Sequence, residues 1–280
     1  MPVEDTLGTV LVTGGSSGLG AAVAAAVEAE GGTPVVLDLK PPQQVDVPYL
    51  ACDLADTAAA QEATRRVAEE AGGLDGVVTA AGTDACGDIL DVDAEAWEHV
   101  IAVNLLGTAA VVRAVVDEHG GLDAVVTAAG TDACGDILDV DAEAWDRVVA
   151  VNLLGTAAVV RAALPALERS RGRVVTVAST LGLRALPAAT AYCASKFGVV
   201  GFTRALASEL GDRVGVTLLV PGGMRTHFFD GRPEDFMPAP DQHLNDPADV
   251  ARTVVFALRQ PAGCELRELL VAPATEPSGP

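Results

Sequence analysis

The sequence predicts a doubly wound parallel α/β sheet in a single domain, and three observations predict it. Short apolar runs alternate with helical stretches along the 280 residues, the pattern of strands covered by helices on both faces. The first apolar run ends in a glycine-rich turn that opens a helix. Hydrophobic residues make up 50% of the chain, enough for one substantial core at this length.

The elements follow in order. Leu-Gly-Thr-Val-Leu-Val-Thr-Gly at 7–14 reads as a buried strand. Thr13-Gly14-Gly15-Ser16-Ser17-Gly18-Leu19-Gly20 then leads into an Ala/Val-rich helix reaching about Glu30. Glycines let a backbone turn tightly and approach a ligand. The helix behind them offers unpaired N–H groups and a positive dipole end to a phosphate. Gly14, Ser16, Ser17, Gly18, Leu19 and Gly20 are therefore candidates for dinucleotide binding.

The second strand, Thr33 to Asp38, places Asp38 18 residues after Gly20. That is near the spacing of an acid on the adenosine ribose. A carboxylate there accepts from a 2′-hydroxyl and repels a 2′-phosphate, so NAD(H) is favoured over NADP(H). Lys40 is a potential phosphate partner and keeps NADP(H) open, and Asp38 can also simply end its strand. A third strand, Val47 to Ala51, leads into Cys52-Asp53-Leu54. Asp53 suits either an adenine amino group or the cap of a helix starting near Ala55.

Further along, Ser179 precedes Tyr192 by 13 residues, and Tyr192-Cys193-Ala194-Ser195-Lys196 follows. A Tyr and a Lys four apart share a helix face. A neighbouring ammonium favours the phenolate and lowers the Tyr pKa from its usual ~10. Such a phenol trades protons with an alcohol or carbonyl, with a Ser hydroxyl holding the same oxygen.

With Thr-Gly-x-x-x-Gly-x-Gly at 13–20 and Ser179, Tyr192 and Lys196 in this order, the chain resembles the short-chain dehydrogenase/reductase family from about Gly8 to Val271. Ala80-Ala81-Gly82 and Ala128-Ala129-Gly130 are similar to the family's Asn-Ala-Gly turn, with Ala in place of Asn. Asn104 and Asn152 each sit in Val-Asn-Leu-Leu-Gly-Thr, similar to the family's helix Asn. Pro221-Gly222-Gly223-Met224-Arg225-Thr226 resembles the turn whose Thr contacts the nicotinamide amide. The resemblance implies a Rossmann-type fold and an oxidoreductase that interconverts an alcohol and a ketone or aldehyde. It implies Tyr192 as proton donor and acceptor. Lys196 lowers its pKa and holds the nicotinamide ribose, Ser179 orients the substrate oxygen, and one Asn positions a relay water. Leu54, Ala129, Gly130, Pro221, Gly222 and Thr226 join the implied cofactor contacts. A homodimer or homotetramer pairing through the Asn and Tyr helices is implied as well.

Residues 72–114 recur at 120–162 with four differences: Gly76/Ala124, Glu98/Asp146, His99/Arg147 and Ile101/Val149. Each copy reads as a strand (Val77–Ala80, Val125–Ala128), a turn and a helix carrying an Asn. One strand–helix unit has been duplicated inside the sheet. The spare copy must be buried, because exposing its eight large apolar side chains, Val77 to Val112, forfeits about 1.5–3 kcal/mol each against a domain stability of about 5–15 kcal/mol. A strand added between the fourth strand and the strand before Ser179 displaces Ser179 and Tyr192 by about 4.8 Å, which hydride transfer would not survive. The sequence therefore predicts copy 1 at the sheet edge beside the third strand. Copy 2 then lines the site, with Asn152 catalytic and Asn104 structural. The alternative puts copy 1 in that slot, with Asn104 catalytic and copy 2 against a partner subunit.

Residues 222–245, rich in Gly, Pro, Phe and charge, have the composition of a mobile lid over a substrate site. Phe228, Phe229, Phe236 and Met237 suit an apolar pocket wall, and Arg225 and His227 are candidates for a substrate carboxylate. With 18 basic and 39 acidic residues, the net charge of −21 argues against nucleic acid and anionic membranes as partners. No apolar stretch is expected to reach the ~18 residues of a membrane span, and Met-Pro-Val-Glu-Asp at the start lacks the marks of a secretory signal. Five cysteines, of which Cys86 and Cys134 are copies of one position, show no metal-ligand spacing and fit a cytoplasmic location. A small-molecule alcohol or carbonyl is the expected partner. The competing function is a dinucleotide-binding regulatory or scaffold protein whose chemistry the duplication has impaired.

Overall fold

The computed structural model describes residues 7–43, 46–83, 94–261 and 263–276; Cys86 lies outside them. Eight strands form one parallel sheet: β1 (Thr9–Thr13), β2 (Thr33–Asp38), β3 (Tyr49–Ala51), β4 (Gly76–Thr79), β5 (Ala124–Thr127), β6 (Arg173–Val177), β7 (Gly215–Pro221) and β8 (Glu268–Val271). Their spatial order is β3-β2-β1-β4-β5-β6-β7-β8. On one face lie α2 (Thr57–Ala71), α4 (Thr108–His119), α6 (Thr156–Ser170) and α7 (Thr190–Leu210), packed over Leu11, Val77, Val125, Val174 and Val216. On the other lie α1 (Gly18–Ala29) and α8 (Pro247–Leu258), over Val10, Val12, Val78, Val126 and Val175. Alternate strand residues thus feed the two cores, which is the period-2 geometry of a pleated strand. Short helices α3 (Ala94–Ile101) and α5 (Ala142–Val149) precede the repeat helices.

The duplicated unit is not at the sheet edge. The copy 1 strand β4 pairs with β1 on one side and with the copy 2 strand β5 on the other, and β5 pairs with β6. The expected edge placement is therefore corrected: the extra strand sits in the middle of the sheet. Burial explains why. All four residues of β4 are buried, so an edge position would bare apolar side chains and a row of unpaired backbone groups. The three-residue β3 is half-exposed and β8 alternates exposed and half-buried residues, which suits both to the edges. The expectation that the spare unit is buried holds for Val77, Val78, Val103, Val111 and Val112, while Leu106 is 49% exposed.

Helix packing accepts the insertion because the two sides of the unit fit each other. A Cβ on Gly107 of copy 1 would collide with the backbone of Leu54 ahead of α2. The equivalent Gly155 of copy 2 faces Asn104 and Leu105 of copy 1 at 3.8 Å. Copy 2 therefore packs on copy 1 where copy 1 packs on the Leu54 segment. In both copies the Ala-Val-Asn-Leu-Leu-Gly segment, Ala102–Gly107 and Ala150–Gly155, winds as a π-helical turn between the flanking α-helices, a distortion frequent at functional sites.

The helical runs Glu98–Glu118 and Ala142–Ser170 have the length and mean hydropathy of a membrane span by composition alone. Of their apolar windows, 56% and 44% is buried, as in helices laid against a sheet.

Candidate active site

The C-terminal ends of the strands converge on a cleft of about 520 Å³, within the range of small-molecule sites. At one end lie Ser17, Gly18 and Leu19, where α1 begins. Gly14 adopts φ +70°, and a Cβ there would collide with Ala81, so the loop folds tight onto the copy 1 turn. Ser17 caps α1 without a side-chain hydrogen bond. At the end of β2, Asp38 accepts from the backbone N–H of Ser16 at 3.0 Å and of Lys40 at 3.1 Å. The Ser16 hydroxyl in turn donates to the Lys40 carbonyl. Asp53 is exposed and accepts from Ala55 N at 2.9 Å, while Asp56, not Asp53, caps α2. Leu54 is a core residue.

At the other end, β6 delivers Ser179, whose Oγ accepts from Leu181 N at 3.2 Å, and α7 delivers Tyr192 and Lys196 one turn apart on a shared face. Ser179 faces the Tyr192 phenol closely enough to favour its charged form. Lys196 is buried, donates from Nζ to the Val177 carbonyl at 3.1 Å, and stands 5.6 Å from the Tyr192 ring centre. Burial pushes the Lys196 ammonium down to about 8, against an opposing pull from Asp132. Burial also pushes the Tyr192 phenol up, Asp132 adds to the rise, and the Ser179 hydroxyl and the Arg232 charge oppose it. This corrects the expectation of a phenol drawn below its ordinary value: in the protein alone Tyr192 is a neutral acid.

The two repeat Asn residues are anchored alike. Asn104 accepts from Thr83 N and donates to Thr83 O, both at 2.9 Å. Asn152 does the same with Thr131, also at 2.9 Å. Among the described contacts, Asn152 but not Asn104 reaches the tyrosine helix: its Nδ2 donates to Ser195 Oγ at 2.9 Å, and Ser195 Oγ donates to the Tyr192 carbonyl at 2.8 Å. A Cβ on Gly130 would lie 3.3 Å from Asn152 Oδ1 and 3.7 Å from Lys196 Nζ. Asn104 has no such link and sits one strand nearer the glycine loop.

The roof comes from residues 222–245. Phe228, Phe229, Phe236 and Met237 line the cleft with Pro221, Gly222 and Thr226. A Cβ on Gly18 would lie 3.6 Å from the Thr226 side chain, so the roof meets the glycine loop across the widened floor. Arg225 pairs with Asp246 at the surface, while His227 lines the cleft with its Nδ1 2.8 Å from Asp230. The sequence reading missed Asp132, Arg232 and Ser195. Asp132 follows the copy 2 turn and pairs with Arg232 of the roof at 3.0 Å, with both side chains buried. Their 100-residue separation leaves no local pattern. Ser195, inside the Tyr–Lys spacing, was legible as the residue beside Lys196.

Comparison with known proteins agrees with this arrangement. The family profile described as short chain dehydrogenase matches residues 8–118 and again 108–235, so each repeat copy falls in a match. D-threitol dehydrogenase of Mycolicibacterium smegmatis is 31% identical, over 88% of this chain and 84% of that protein. 2-Dehydro-3-deoxy-L-rhamnonate dehydrogenase (NAD(+)) of a Sphingomonas species is 32% identical, over 80% and 75%. Among solved structures, ligand-free aldohexose dehydrogenase of Thermoplasma acidophilum superposes with a TM-score of 0.64 at 20% identity, covering 96% of this chain and 94% of that one. The chain belongs to the short-chain dehydrogenase family of oxidoreductases.

Proposed function

We propose that the protein interconverts a small alcohol and its ketone or aldehyde, with Tyr192 as the acid and base and with NAD(H) preferred. The observation that carries this is one continuous cleft holding the glycine loop at one end and Ser179, Tyr192 and Lys196 at the other. A nicotinamide dinucleotide fits the residues present: Ser17, Gly18 and Leu19 would hold its pyrophosphate at the start of α1, Asp38 its adenosine ribose, and Lys196 and Thr226 its nicotinamide half. When bound, it supplies or accepts the hydride. Ser179 holds the substrate oxygen. In reduction the neutral Tyr192 phenol donates a proton to that oxygen, and in oxidation the phenolate takes it back. The Lys196 ammonium steadies the phenolate. Asn152 ties the Thr131 turn to Ser195 of α7, and is assigned the relay role over Asn104. Asp38 supports the NAD(H) preference, and the name of the Sphingomonas relative points the same way. Leu154 and Phe197, 57% and 45% exposed on neighbouring helical segments, support pairing of two or more copies there.

A second reading, a dinucleotide-binding regulatory or scaffold protein, is favoured by one observation. Two strands rather than one separate β1 from β6, which adds about 4.8 Å between the glycine loop and Ser179. Tyr192→Phe, assayed by NADH absorbance and fluorescence with a panel of alcohols and ketones, tests both. The first reading expects turnover to fall by about 10²–10⁴ with cofactor binding kept. Cofactor binding without turnover by the unaltered protein establishes the second.

A further inference from the structure

Among the described residues, Asp132–Arg232 is the ion pair with both side chains deeply buried, at 5% and 8% exposure. It lines the same cleft as Tyr192 and Ser179. The Arg232 guanidinium lies 4.8 Å from the ring centres of both Phe228 and Phe229, and the Phe228 ring is 5.8 Å from that of Tyr192. Phe228 thus bridges the pair to Tyr192, and the charges of both partners act on the Tyr192 phenol. Arg232 Nε and Nη2 are buried without a hydrogen-bond acceptor of adequate geometry, although Nη2 is 3.0 Å from Asp132. Orphaned donors on a buried guanidinium call for an acceptor.

The acceptor's charge follows from the groups around the cleft. Asp132, Asp230, Asp235 and Glu276 line it against Lys196 and Arg232. A substrate carboxylate at Arg232 would sit beside the Asp132 carboxylate in a poorly solvated site and meet like-charge repulsion. A neutral hydroxyl meets none: its oxygen accepts from the guanidinium, and its proton faces an acid-rich wall.

We infer that Arg232, held by Asp132, reads a second hydroxyl beside the reacting carbon, and that the substrate class is small neutral vicinal diols and their hydroxyketones rather than hydroxy acids. This rests on the proposed oxidoreductase reading. The test compares kcat/KM of the unaltered protein with NAD⁺ on 2,3-butanediol, 2-butanol and 3-hydroxybutyrate, and repeats it with Arg232→Gln and Asp132→Asn.

The diol is expected to exceed 2-butanol by about tenfold or more and 3-hydroxybutyrate to be poorest. Arg232→Gln is expected to lower the diol-to-2-butanol ratio at least about tenfold. Equal use of diol and 2-butanol, or preference for 3-hydroxybutyrate, overturns the inference while leaving the oxidoreductase reading intact. Cofactor binding with no alcohol or ketone turned over overturns that reading, and the inference with it. The substrate ratio of the unaltered protein decides the matter even where a variant fails to fold.

Discussion

Replacing Asn104 and Asn152 by Ala, in separate proteins, separates structural from functional use of the two copies. Each side chain satisfies one backbone N–H and one C=O, of Thr83 and of Thr131, at 2.9 Å. Both Asn residues are buried, at 1% and 0% exposure. Each variant thus strands one donor and one acceptor at about 1–3 kcal/mol apiece, or about 2–6 kcal/mol in total. Asn152 also loses its bond to Ser195, which keeps its own bond to the Tyr192 carbonyl. That adds only about 1 kcal/mol, worth about 2–4 °C in Tm for a domain of this size. The two variants should therefore melt within a few degrees of each other. Their kcat values should not match. Asn152→Ala loosens the turn that faces Lys196 and the packing of α7, and is expected to lose at least about tenfold more kcat than Asn104→Ala. Thermal melts and steady-state kinetics on both proteins check this. Matching kcat losses at matching Tm, or a greater loss from Asn104→Ala, would refute the assignment of copy 2 to the catalytic slot.

Other predictions follow from the same geometry. The low Lys196 pKa of about 8 predicts that reduction slows as pH rises through about 8 and the ammonium is lost; residual activity of Lys196→Arg, always charged, should lack that limb. The same depressed pKa makes Lys196 a stability penalty below pH 8 that is relieved as pH rises towards the ordinary value of 10.5, since the unfolded chain then holds the extra proton; denaturant titrations of Lys196→Met against the parent should show the full penalty at pH 7 and only a minor part of it at pH 10. Asp38→Ala should raise the NADP(H)-to-NAD(H) ratio of kcat/KM by about tenfold, and an unchanged ratio would remove Asp38 from cofactor selection. Deleting residues 76–123 joins Asp75 to Ala124 and leaves 232 of the 280 residues; this protein should fold cooperatively, because Ala128 and Ala129 replace the identical Ala80 and Ala81 beneath the glycine loop, and a chain that fails to fold would show that the copies are not interchangeable.

The strand and helix order was readable from the sequence because each strand is a short apolar run and each turn carries its own punctuation. The glycine loop and the Ser179, Tyr192 and Lys196 set were readable because their spacing is local. The place of the spare unit was not. Two copies differing at four of 43 positions carry the same strand and helix pattern, so periodicity is silent on which neighbour each takes. The decision lies in contacts distant in sequence: Gly107 against Leu54, and Gly155 against Leu105. The phenol's rise in pKa was hidden for a related reason. The Tyr–Lys spacing shows the ammonium, but the burial that chiefly raises the phenol, and Asp132 that adds to it, come from elements distant in sequence.

Widening a parallel sheet in its middle separates two functions that a single-copy sheet joins. The floor of the cleft now carries two near-identical turns, Thr79–Thr83 under the glycine loop and Thr127–Thr131 beside Lys196. The roof does not follow the floor, because residues 222–245 hang from β7 on the Ser179 side and are pinned to the copy 2 turn through Arg232 and Asp132. Thr226 of the same roof lies close to Gly18 across the extra strand. A buried ion pair is a weak source of net stability, but removing one partner leaves the other charge stranded. The pair therefore fixes where the roof sits more than how firmly the protein folds. In this protein the inserted strand sets the width of the cleft, and the Asp132–Arg232 contact sets how the Tyr192 end is closed over it.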